Sequence, residues 1–110
     1  MNKIVPLDCD RISDWQSFHR VFAETFKFPG YYGHNGPAWI DCMTYPGEMT
    51  DIGLQDEDVI TIRLLNAAGL KSRDPELLAD IFELAAFVNF RRIKADEPGR
   101  ICISAGQEHE

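Results

Sequence analysis

Between Phe28 and Ile62 the chain has neither lysine nor arginine. A surface without cations cannot neutralise phosphates, so this stretch is excluded as a nucleic-acid contact. The net charge of −7 extends that exclusion to the whole chain. Cysteine is scarce: Cys9, Cys42 and Cys102 are an odd set, far apart and without C-x-x-C spacing. That excludes a disulfide framework and argues against a zinc site, and it points to a reducing compartment, so a cytoplasmic location is expected. Cys9 and Cys102 lie in or beside apolar strand patterns, where a thiol acts as a small hydrophobe. No apolar run approaches ~20 residues and the N-terminus lacks a signal-peptide core, so no membrane association is expected. Walker A, G-x-G-x-x-G and G-x-S-x-G motifs are missing, and no cofactor is expected. Repeats and linkers are missing as well, which leaves one domain over residues 1–110.

What is present suffices for a core, because 45% of the residues are hydrophobic. Residues 3–7 read as a short strand, placed at an edge by Pro6. Ser13 and Gln16 have capping-box spacing ahead of a helix over about 14–26, whose Trp15, Phe18, Val21, Phe22 and Phe26 repeat at helical intervals. Phe28-Pro29-Gly30 ends it. A loop of turn residues follows, then a second helix capped by Asn35 or Gly36, with Pro37 in its first turn. That helix runs to about Thr44 and is stopped by Pro46-Gly47. Trp39 and Met43 face the core together, while Asp41 points outward. Residues 47–57 read as acidic and irregular, and Asp58 to Leu65 as a buried strand. Asp74 and Pro75 open a long helix with an apolar face of Leu77, Leu78, Ile81, Phe82, Leu84, Ala85 and Val88. Arg91, Arg92 and Lys94 suit the dipole at its C-terminal end. Arg100 to Ser104 form the last strand, and the tail after Gly106 is expected to fray. The order β-α-α-β-α-β, with helical crossovers, predicts an α/β fold: a small three-stranded parallel sheet packed with about three to four helices.

The charge distribution is sharper than the total. The stretch without cations holds Asp41, Glu48, Asp51, Asp56, Glu57 and Asp58, a formal −6 of the chain's −7. Acidity of this kind suits a basic protein partner, although solubility alone also explains a mildly acidic chain. His34 and Cys42 offer a Cys–His pair for hydrolysis, against the plainer reading of a loop histidine and a buried helix cysteine. Asp56 and Asp58 offer paired carboxylates, against the plainer reading of a solvated acidic loop. The segment 31–41 brings two tyrosines, a glycine loop, an amide cap and an outward carboxylate. Tyrosine gives large contact area with few rotors, and a carboxylate aimed into a basic cleft makes charge-assisted hydrogen bonds. Taken singly, Tyr31 and Tyr32 also suit a sealed sheet edge, and Asp41 an ordinary solvated position.

The run Phe28-Pro29-Gly30-Tyr31-Tyr32-Gly33-His34-Asn35-Gly36-Pro37-Ala38-Trp39-Ile40-Asp41 resembles the signature of the barstar family of intracellular ribonuclease inhibitors. The shared parts are P-x-Y-Y-G-x-N, then an aromatic and an Asp on the following helix. The order of elements is similar over nearly the whole chain, and Ile-Cys-Ile-Ser resembles the family's closing strand. The resemblance implies a barstar-like fold and an inhibitor without catalysis of its own. Its partner would be a basic ribonuclease or nuclease toxin, and it would be a monomer when free. It implies that Asp41 occupies the nuclease's phosphate site and that Tyr31 packs against the catalytic region. Asn35 and Gly36 would make loop contacts, and Glu76 an outlying acidic one. The implied partner-binding set also includes Tyr32, Gly33, His34, Pro37, Ile40 and Tyr45. Three features depart from the family pattern. Pro37 stands where a second carboxylate is usual, Ile40 replaces the Trp before the key Asp, and the segment from Asp41 to Pro46 is shorter. An acidic interaction module with a non-nuclease partner is the other reading of the same surface.

Overall fold

The computed structural model describes residues 2–105, so the expected fraying after Gly106 lies outside the described residues. Strand β1 (Asn2–Asp8) leads through a 3-10 turn (Cys9–Arg11) into helix α1 (Trp15–Phe26). Helices α2 (Gly36–Thr44) and α3 (Pro46–Met49) precede β2 (Val59–Leu65). Helices α4 (Ala67–Arg73) and α5 (Pro75–Lys94) precede β3 (Arg100–Ser104). The sheet is parallel with order β1-β2-β3, so β2 is central and Pro6 stands on an edge strand, as expected. Asn2 pairs with Val59 and Asp8 with Leu65, while Val59 also pairs with Arg100.

The helix boundaries have local causes. The cap of α1 is Asp14 rather than Ser13: Asp14 Oδ1 accepts the Ser17 N–H at 2.8 Å, and Ser17 Oγ accepts the Asp14 N–H at 3.0 Å. The Ser13–Gln16 box is displaced by one residue. Lys27 then ends α1 in the left-handed conformation. Pro46 does stop α2, but it also opens α3, because a proline fits a first helical turn. The acidic stretch is therefore less irregular than expected. Asp56 Oδ1 accepts the Gly47 N–H at 2.8 Å, and the buried Asp58 accepts the Gln55 N–H at 2.8 Å. These two carboxylates fasten backbone instead of forming a solvated loop or an acid–base pair. The short α4 has no side-chain cap and no apolar period to betray it. It is held by Arg73, which donates to the carbonyls of Cys9 at 2.9 Å and Ile12 at 3.0 Å.

One core fills the space between sheet and helices. Phe18, Phe22, Phe26 and Trp39 are fully buried, with the Phe22 and Trp39 rings edge-to-face at 5.5 Å. On α5, Leu77, Ile81, Ala85 and Val88 are buried as expected. Phe82 is exposed, because it stands ~100° round the helix from Ile81, outside that stripe. Cys9 and Cys42 are buried, but Cys102 is exposed, so only the first two behave as small hydrophobes.

Candidate protein-binding face

The loop between α1 and α2 and the outer side of α2 form one face. Tyr31 is its most prominent group, 77% exposed, with its hydroxyl on Met49 Sδ at 3.7 Å. Tyr32 turns the other way. It is buried, and its hydroxyl meets Nδ1 of the buried His19 at 2.5 Å. Tyr32 is thus a pillar under the loop rather than a contact on it, and burial raises its phenol well above the ordinary range. The aromatic pair in the motif divides its labour, one ring into the core and one into solvent.

The loop owes its path to a histidine more than to its glycines. His34 takes the left-handed conformation at φ 55°, while Gly30, Gly33 and Gly36 do not. Gly33 matters for closeness: a Cβ there would lie 3.2 Å from the Asn35 side-chain nitrogen. Asn35, not Gly36, caps α2, its Oδ1 accepting the Ala38 N–H at 2.8 Å and its amide donating to the Gly33 carbonyl at 3.3 Å. Pro37 follows in the first turn, exposed.

Asp41 points outward as expected, its side chain 62% exposed. It is not alone there. Arg91 of α5 donates to its Oδ1 at 2.8 Å, and Tyr45 lies beside the same guanidinium. The neighbouring Arg92 is buried and reaches the end of α2, donating to the Thr44 carbonyl at 2.8 Å and also to the Asp56 carbonyl. The two arginines thus bind the C-terminal end of α2 to α5 instead of serving their own helix's dipole. A carboxylate in the last turns of a helix faces the negative end of that helix's dipole. Arg91 offsets this, and Asp41 remains a site that favours cations.

Gly36 faces Leu84, and Asp41 faces Arg91, so α2 and α5 run in the same direction. That direction sets Glu76 apart from the rest of the expected set, in an outlying position. It is exposed, but it lies about two turns before the level at which α5 meets the start of α2. The acidic groups of α5 that line the space beside α2 are Asp80 and Glu83. The face therefore unites Tyr31, Gly33, His34, Asn35, Gly36, Pro37, Ile40, Asp41 and Tyr45, with Tyr32 beneath it and Glu76 apart. The sequence pattern assigns Arg91 only to the helix dipole and gives Asp80 and Glu83 no role. Their signal is the stripe Asp80, Glu83, Leu84, Phe87, Arg91 at helical spacing along one edge of α5.

The alternative chemistry finds poor support in this geometry. Cys42 is buried, and burial pushes its thiol up to about 11, the reverse of an activated nucleophile. Among the described residues no group of acidic, histidine or cysteine side chains is placed to hold a metal ion. No helix among them is long and apolar enough to cross a membrane.

No curated protein matches the chain. A family model described as Barstar (barnase inhibitor) matches residues 2–98, which takes in every element of the face and all but the last strand of the sheet. The chain belongs to the barstar family.

Proposed function

We propose that the chain inhibits a ribonuclease by laying the Tyr31–Asp41 face over a basic active site, with Asp41 in the place of a substrate phosphate. The observation that carries this reading is Asp41 itself. It is an exposed carboxylate on a short, firmly anchored helix, in a stretch with no lysine or arginine. Its present partner, Arg91, already makes the kind of contact an active-site arginine would make. Tyr31 would supply apolar area beside it, and the Asn35 cap keeps the loop in position without moving parts. The protein acts as a stoichiometric cover, monomeric when free, in the reducing cytoplasm where its thiols stay unpaired.

The test is capture from the cell that makes the chain, with an Asp41→Ala bait alongside. The eluted partner is then assayed for ribonuclease activity with and without the chain. Asp41→Ala is expected to weaken inhibition by at least ~100-fold, because it strands desolvated cations of the partner. Glu48→Ala, at the rim, is expected to change it by less than ~3-fold. Equal small effects would remove Asp41 from the site. A basic partner that needs Asp41 but has no nuclease activity would favour the reading of an acidic interaction module.

A further inference from the structure

Beside Asp41 the seam between α2 and α5 opens into a cleft of about 670 Å³, which reaches across to α1. Its lining is mainly apolar, from Trp15, Pro37, Ile40, Leu84 and Phe87; the imidazoles of His19 and His34 also border it, and the exposed Asp80 and Glu83 stand at its rim. No lysine or arginine lines it. Phe87 leaves 60% of its surface in water although it belongs to a helix with an ample buried face. Ile40 directly precedes Asp41, and Phe87 lies one turn before Arg91, so cleft and carboxylate share one face.

We propose that this cleft is a second anchor point for the nuclease, taking an aromatic or leucine side chain that lysine or arginine flanks in the partner. The inference rests on the inhibitor reading and adds the chemistry of the partner's contact. The apolar floor removes the side chain from water, and the two rim carboxylates select for cationic neighbours. Pro37 fits this assignment: a proline widens the apolar floor where a carboxylate would have narrowed it to charge alone. A second copy of the chain is a poor occupant, because each copy carries −7 and would bring acidic rims together.

Two capped pentapeptides serve as probes, Arg-Arg-Phe-Arg-Arg and Glu-Glu-Phe-Glu-Glu, followed by two-dimensional NMR of the intact chain. The arginine peptide is expected to shift the Trp15 indole and the amides of Ile40, Glu83 and Phe87, and the glutamate peptide to shift none. Phe87→Ser is expected to weaken the arginine peptide about tenfold, and Glu83→Lys by a similar factor. Both positions are exposed, and an unchanged urea midpoint confirms that the variants fold. No shift with the arginine peptide, or equal shifts with both peptides, overturns the proposal. So does a free chain that sediments as a dimer and is dispersed by Phe87→Ser. In the ribonuclease assay, loss of inhibition by Asp41→Ala with full inhibition by Phe87→Ser overturns the cleft and leaves the inhibitor reading standing. Full inhibition by both removes Asp41 and the cleft from the contact, and an unaltered chain that inhibits no ribonuclease overturns the inhibitor reading itself.

Discussion

Asp41 enters any complex with a partner already in place. An exposed pair such as Asp41–Arg91 contributes only ~0.2–1 kcal/mol to stability, since water screens it and two side chains must be held. Its larger effect is on encounter. Arg91 sets a positive charge beside the carboxylate that a basic partner must approach. Arg91→Ala is therefore expected to raise the association rate with the ribonuclease two- to threefold at low salt, roughly, with the gain vanishing at high salt. Stopped-flow mixing would measure it. A slower rate would show instead that Arg91 holds Asp41 in its binding rotamer. The same residue scale explains Tyr31 and Tyr32. Two identical neighbours in the motif read alike, yet the turn sends one ring outward and the other onto His19. Nothing in a dipeptide encodes that choice; the side chains waiting beneath the loop decide it.

Among the elements, α2 depends on α5 more than on its own sequence. It is short, its cap is sound at Asn35, and its far end is closed by Arg92. Arg92→Met would leave the carbonyls of Thr44 and Asp56 without that guanidinium in a buried setting. A loss of about 3 kcal/mol in urea unfolding is expected. Arg92→Lys should recover little of it, because one ammonium cannot span both carbonyls as the planar fork does. Legibility follows the same line. The three strands and helices α1, α2 and α5 were readable, because each carries its period or its cap in its own residues. Helices α3 and α4 are not: the first opens on a proline that equally reads as a stop, and the second is too short to show a period. The core-facing side of α5 was legible except for Phe82. Its outward Phe87 and Arg91 show no role in the sequence, because only the parallel course of α2 along α5 gives them a neighbour there.

For the molecule as a whole, acid and salt act through different groups. Burial, with a contribution from the charge of His34, pulls His19 down to about 4. The unfolded chain takes up this proton near pH 6.5, while the native state refuses it until about pH 4. The stability tied to His19 is therefore fully present above pH 6.5 and is lost as pH falls from there towards 4. It amounts to on the order of 2 kcal/mol. Urea midpoints at pH 7 and 4.5 would show the drop, and His19→Gln should flatten it; an equal drop in that variant would assign it to the carboxylates. Salt leaves this buried group nearly untouched but screens the acidic face. Affinity for a basic ribonuclease is expected to fall steadily with ionic strength, mainly through slower association, as binding rates at rising salt would record.

The parallel sheet has a last consequence, which concerns synthesis. The face lies entirely inside the crossover between β1 and β2, strands that pair residue 2 with residue 59 and residue 8 with residue 65. A growing chain brings out Tyr31 and Asp41 before β2 emerges to close that crossover. Its seat is still incomplete then, because Arg91 and Arg92 come near the end of α5 and Ile101, which Asn89 ties to that helix, comes later still. A ribosome-bound fragment that stops short of α5 therefore carries the whole motif without the arginines that seat it. On the proposed reading, inhibition would wait until α5 has emerged and folded back over the first third of the chain.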